Sequence, residues 1–220
     1  MMMAALMVCG VCNAQTTRET IKERKALAKL TSEELNSRAS KAARKEGRKL
    51  AKEGWKVAAG QLPLEKQLDR SYKMQYEFDE TGLPKYITGD ATSPGATYDA
   101  AKMQAMELAK TALAGNIQTE VTALTESTVA NEQLTQEQAE SIARTVQASK
   151  NLIVQRLGRT ITVIECYREL PNKTVQVRVM LAYNSKMAID AAKAVIKAKL
   201  EEKGEDLHEQ LDAIWNQFGK

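Results

Sequence analysis

The sequence predicts an α+β fold in which helices pack on a small antiparallel sheet, with a basic N-terminal helical arm. Three observations lead there. Between Ala96 and about Val129 apolar residues recur in steps of three and four, at Tyr98, Ala101, Ala105, Leu108, Ala109, Ala112, Leu113, Ile117, Val121 and Leu124. That spacing is one buried stripe on a helix, and its many alanines let the axis lie close to whatever covers it. Two later runs, Thr160 to Leu170 and Val175 to Tyr183, read as strands joined by the turn Pro171-Asn172-Lys173, the second with clean alternation. The charge is also segregated. Residues 18–56 hold thirteen Lys or Arg against six Glu, whereas the rest of the chain has nineteen basic residues against twenty-two acidic. A basic arm thus joins a mildly acidic body.

The division expected from these shifts is a signal peptide over 1–14, the basic helical arm over 15–60, the α+β body over 61–204 and a C-terminal amphipathic helix over 205–220. Ala4 to Val11 is an apolar run closed by Cys12-Asn13-Ala14, with small residues suited to a cut before Gln15. No Lys or Arg precedes Arg18, which departs from the usual pattern, so a short buried helix is the alternative. Val8 and Val11 precede Cys9 and Cys12 where a lipid-modified cysteine wants a small residue. Soluble export is therefore preferred to lipid anchoring. No later segment approaches the roughly 20 apolar residues that a transmembrane helix needs. With Cys9 and Cys12 in the removed segment, Cys166 is left alone and reads as a buried thiol.

Thr17 to about Glu53 is rich in helix formers and free of proline. Thr31-Ser32-Glu33-Glu34 has a capping-box pattern that splits the arm in two, and Gly54 is a plausible stop. Arg44, Lys45, Arg48, Lys49 and Lys52 form a basic cluster, either a solvated face or a site for an anionic polymer or membrane surface. Nucleic acid is not the expected partner, because Trp55 is the only aromatic nearby and reads as docking onto the body. Pro63 separates arm from body, and a helix is expected from Leu64 to Met74. A turn over 79–84 and an extended run over 85–89 follow, and Ser93-Pro94-Gly95 punctuates the chain before the long helix. Beyond it, a helix from about Thr135 to Leu157 ends at Gly158 as C-cap. Thr160 to Leu170 has apolar residues on both faces, which suits a central strand. Ser185 to Glu202 reads as a helix, and Leu207, Leu211, Ile214, Trp215 and Phe218 line one side of a last one, docking on the chain or contacting another copy.

Tyr98-Asp99-Ala100-Ala101-Lys102, Ala105 to Ala109, Lys150-Asn151-Leu152 and the hairpin through Arg168 and Val175 to Tyr183 occur in the order helix, helix, hairpin, helix. Over about residues 84–200 this pattern resembles the twenty-kilodalton Helicobacter outer-membrane lipoprotein family, closest to its uncharacterised secreted relatives from Bacteroides-type bacteria. The resemblance implies a compact α+β fold in proteins of the cell envelope or outer-membrane surface. It supplies no catalytic residues, and the family's lipid-modified Cys has no good counterpart here.

The familiar enzyme chemistries find little support. His208 is the only histidine, which removes a histidine cluster for zinc and any Ser-His-Asp or Cys-His arrangement not built on it. No glycine-rich phosphate loop follows a strand. The acidic pairs Glu33-Glu34, Glu201-Glu202 and Glu205-Asp206 lie on helical stretches. The hydroxyls of Thr119, Thr122, Thr125, Ser127 and Thr128 read as a polar helix face. No catalytic, cofactor-binding or metal-ligating residue is assigned. The expectation is a non-enzymatic, exported cell-envelope protein that acts by binding or assembly, through its sheet edge or terminal helices, on a protein partner or a second copy. The alternative is a binding module for an anionic polymer or membrane surface through Arg44, Lys45, Arg48, Lys49 and Lys52. An enzyme of unfamiliar type is the third reading, which a deep pocket lined by convergent polar groups would favour.

Overall fold

The structure, a computed structural model, describes residues 37–79, 82, 84–130 and 135–202. The signal-like start, Thr31, His208 and the terminal amphipathic helix lie outside the described residues. The chain divides into two compact units, 1–39 and 40–220, and the second is described here. Its elements are α1 (Lys41–Lys52), α2 (Leu64–Gln75), β1 (Tyr86–Gly95), α3 (Tyr98–Ala130), α4 (Gln136–Ala148), α5 (Lys150–Arg156), β2 (Ile161–Glu169), β3 (Val175–Asn184) and α6 (Ser185–Glu202). Among the described residues six helices thus pack on a three-stranded antiparallel sheet, the expected α+β architecture.

The strand order is β1-β3-β2, and the strand with the cleanest alternation is the central one. Val177, Val179 and Leu181 of β3 point to one face, where they bury against Ala101, Ala105 and Ala109 of α3. The alanines matter because α3 comes down almost onto the backbone of β1. A Cβ built on Gly89 would stand 2.4 Å from Ala109 O, and one on Gly95 2.6 Å from Ala101 N. At about 1.5 Å per residue α3 is roughly 50 Å long, so it outruns the sheet. Its stripe then turns to a second core, where Leu113, Ile117 and Val121 meet Ile142, Val146, Ile153, Ile196 and Leu200 from α4, α5 and α6. Each such side chain contributes about 1.5–3 kcal/mol when fully buried. Leu108, expected in the stripe, is instead 46% exposed.

On the opposite face Ile164, Cys166 and Met180 are buried. α1 crosses α2 where Gly47 meets Glu65, a Cβ at Gly47 standing 3.3 Å from Glu65 Cβ. Composition groups residues 41–56 with the arm, yet they belong to the unit that contains the sheet. Their apolar side explains this, since Ala43, Gly47 and Leu50 are all buried. Among the described residues the arm's helix begins at Lys41, capped by Ser40, whose side chain accepts from Ala43 N. It ends as Gly54 predicts. Gly54 adopts φ +88°, its N–H donates to Ala51 O and that of Trp55 to Leu50 O, the paired bonds of a Schellman ending. Trp55 is then buried, with the Arg168 guanidinium 4.8 Å from its ring centroid.

Four expectations are corrected. Ser93-Pro94-Gly95 does not punctuate the chain but completes β1, where an edge position tolerates the missing proline N–H. β2 is an edge strand, not a central one. Its pairing slips between Thr162 and Ile164, and this irregularity buries Val163 and Ile164 in succession, which the sequence displays as two apolar faces. The helix expected over 135–157 is two helices, because Ser149 leaves helical geometry with its hydroxyl donating back to Thr145 O at 2.6 Å. Gly158 follows the C-cap residue Leu157, at the position a left-handed glycine takes, but it does not adopt positive φ and so does not act as that cap.

Candidate binding surfaces

The ionisable groups of the interior are engaged in holding the fold. Glu165 is 8% exposed and faces α3, where Tyr98 OH donates to its carboxylate at 2.5 Å and Lys102 Nζ lies 2.7 Å away. Burial pushes this carboxyl up, but hydrogen bonds from Lys102, Tyr98 and Gln61 and the Lys102 charge outweigh it and leave it below the usual carboxylate range. Tyr98 is raised, by burial first and then by its bond to Glu165. Its ring also meets Tyr167 edge to face at 5.2 Å. Cys166 is the buried free thiol expected, and burial pushes it up to about 12, which keeps it protonated and unreactive at neutral pH. Asp90 of β1 receives a bidentate pair of bonds from Arg178 of β3, the shortest 2.6 Å. None of these contacts was visible in the sequence. The one available signal was the i, i+4 pair Tyr98 and Lys102 on one flank of the long helix.

The two edges of the sheet differ. The outer edge of β2 is clasped, since Lys56 and Tyr167 exchange backbone bonds of 2.7 and 2.8 Å and Gln67 Oε1 accepts from Glu165 N at 2.7 Å. The outer edge of β1 is not. Ser185 N donates to Lys85 O at 3.0 Å, which turns the backbone groups of odd-numbered β1 residues toward β3 and those of the even-numbered residues outward. Asn116 Nδ2 accordingly reaches the outward carbonyl of Thr88 at 2.8 Å. Beyond it Asp90, Thr92 and Pro94 are exposed; the Pro94 carbonyl accepts from Ser93 Oγ at 3.3 Å, and among the described residues nothing pairs with the outward backbone groups of Asp90 and Thr92.

At the start of β1 a cavity of about 270 Å³ opens between β1, α3 and the beginning of α6. Tyr86, Thr88, Asn116, Glu120, Ser185 and Lys186 contribute to its walls. It is open to solvent, and its hydroxyl, amide and charged groups come from separate elements without forming a nucleophile hydrogen-bonded to a base.

The basic cluster read from the sequence does form one surface. Ala43, Gly47 and Leu50 define the buried side of α1. At about 100° per residue, Lys45, Arg48, Lys49 and Lys52 point the opposite way, as does Lys41. All five are exposed and no acidic residue shares that face. Arg44 sits on the flank, half-buried, with its Nε buried and without a hydrogen-bond partner. Among the described residues there is no helix long and apolar enough to cross a membrane and no group of His, Cys, Asp and Glu that could hold a metal. Comparison with family models, curated proteins and solved structures finds no match for the chain.

Proposed function

We propose that the chain is an exported, non-enzymatic protein of the cell envelope that acts by binding or assembly. The observation that carries the reading is the contrast between a clasped β2 edge and an open β1 edge, because folded proteins ordinarily protect such edges unless something pairs with them. The signal-like run before Gln15 and the resemblance to an envelope family support export. The engagement of Glu165, Cys166 and Asp90 in the fold supports binding over catalysis. Fractionation of native cells, with mass determination of the mature N-terminus, tests the reading. A chain starting at Gln15 in periplasmic or outer-membrane material is expected, whereas an intact Met1 in the cytosol overturns export.

A second reading is favoured by one observation, the acid-free outer face of α1. That face would hold the protein to an anionic polymer or membrane surface by charge. Vesicles containing about a third anionic lipid are then expected to co-sediment the chain at low salt and release it as ionic strength rises. Reversing Lys45, Arg48 and Lys49 to Glu is expected to abolish that co-sedimentation with little change in thermal unfolding, since all three are exposed. Salt-independent co-sedimentation, or no effect of the reversals, overturns it.

A further inference from the structure

We infer that the open edge of β1 takes up one extended peptide strand of a protein partner along Thr88–Thr92, with apolar residues at alternate positions facing the exposed side chain of Leu108. The inference rests on the reading of the chain as a binding protein but not on its export.

The backbone inventory defines the ligand. The outward groups left free among the described residues are the N–H and C=O of Asp90 and of Thr92 and the N–H of Thr88. The Thr88 carbonyl is already taken by Asn116 Nδ2, the Pro94 carbonyl accepts from Ser93 Oγ at 3.3 Å, and Pro94 has no N–H to offer. Donors and acceptors thus alternate over about 13 Å of strand, the pattern that an added strand satisfies with main-chain hydrogen bonds. Side-chain chemistry then differs between the two faces. On one lies α3, whose Lys102 reaches across to Glu165 of β2 and whose Met106 packs toward the β3 valines. Leu108 is about 200° around the helix from Met106 and so falls on the flank overhanging the free edge, where it is 46% exposed. On the other face stands Asp90, tied to Arg178, beside Thr92. A matching strand is apolar toward α3 and polar or basic toward Asp90.

The position of α3 argues against a second copy as the occupant. Its backbone lies directly over β1, near enough that a Cβ on Gly89 or Gly95 would strike it. A copy paired antiparallel on this edge would carry its own α3 above a strand only about 5 Å away, whereas packed helix axes need about 8–10 Å. A lone strand brings no such helix.

The test uses the full chain and a phage-displayed library of random decapeptides as probe. Enriched sequences are expected to alternate apolar and polar residues. Their binding is expected to slow hydrogen exchange at the Asp90 and Thr92 amides, and to weaken about tenfold or more with Thr92→Pro, which removes one outward donor. Thr92→Pro leaves the ladder to β3 intact, because that N–H points outward. Leu108→Asp changes only an exposed side chain and is expected to weaken the same peptides if the proline variant does not fold. The proposal is overturned if no sequence is enriched, or if enriched peptides bind both variants as well as the parent. It is overturned equally if the Asp90 and Thr92 amides are already protected in the free chain, which would mean that the chain covers its own edge. A parent dimer that Thr92→Pro dissociates would assign the edge to a second copy and overturn it too.

Discussion

Replacing Gly89 with alanine is expected to destabilise the unit by about 3 kcal/mol or more, the upper range for overpacking a filled interior. The added Cβ would lie 2.4 Å from Ala109 O, 2.5 Å from Leu113 N and 2.7 Å from Leu113 Cβ. Two of these are backbone atoms of a helix pinned over the sheet by Ala101, Ala105 and Ala109, so no side chain can swing away to make room. Either α3 lifts from β1 and loosens the contacts with Val177, Val179 and Leu181, or β1 bends out of its pairing with β3. Gly115 supplies the contrast. A Cβ there meets only the far end of Lys150, at 3.3 Å, and alanine in a helix interior gains about 0.5–1 kcal/mol over glycine. Urea unfolding of both variants checks the pair. Gly89→Ala should lower the midpoint sharply while Gly115→Ala holds or raises it, and equal midpoints for Gly89→Ala and the parent would show that α3 does not rest on β1 as described.

The same helix shows what was legible beforehand. The stripe from Ala101 to Val121 announced itself because a helix repeats its environment every 3.6 residues, and the alternation of β3 did so because a strand repeats it every second residue. The outer face of α1 was legible for that reason too, since Lys45, Arg48, Lys49 and Lys52 keep helical spacing. The helix at Ser185 begins where its composition changes. What stayed hidden depends on order in space, not on local period. Apolar residues on both faces of β2 mimicked a central strand because an irregularity at Val163 and cover on both sides produce the same pattern. Pro94 looked like punctuation because its tolerance depends on lying at an edge. Whether the edge of β1 is open follows from the order β1-β3-β2, which no window of residues encodes. The Glu165 cluster joins residues 67 positions apart, and the i, i+4 pair Tyr98 and Lys102 on the long helix was its only trace.

That cluster sets the second large effect. Lys102→Met is expected to cost about 2 kcal/mol at neutral pH, less than the 3–5 kcal/mol for breaking a fully buried pair, because the Lys102 side chain is itself a third exposed. The carboxylate left behind keeps Tyr98 and Gln61 as donors but loses the charge that most directly offsets its burial. The pH dependence separates this from lost packing. In the parent the Glu165 carboxyl titrates below its ordinary range, so it contributes stability above the unfolded-state value, and that contribution is lost as pH falls through the folded one. Without Lys102 burial dominates and the folded value rises, so protonation now relieves the site. The gap between variant and parent should therefore be widest at neutral pH and close as pH falls below the carboxylate range. Adding Glu165→Gln to Lys102→Met should recover much of the loss at neutral pH, since it removes the stranded charge while keeping a group of the same shape. Urea midpoints across that pH range read both effects. A gap that does not change with pH, or no recovery in the double variant, would assign the role of Lys102 to its methylene stem against the Tyr98 ring instead of to its charge.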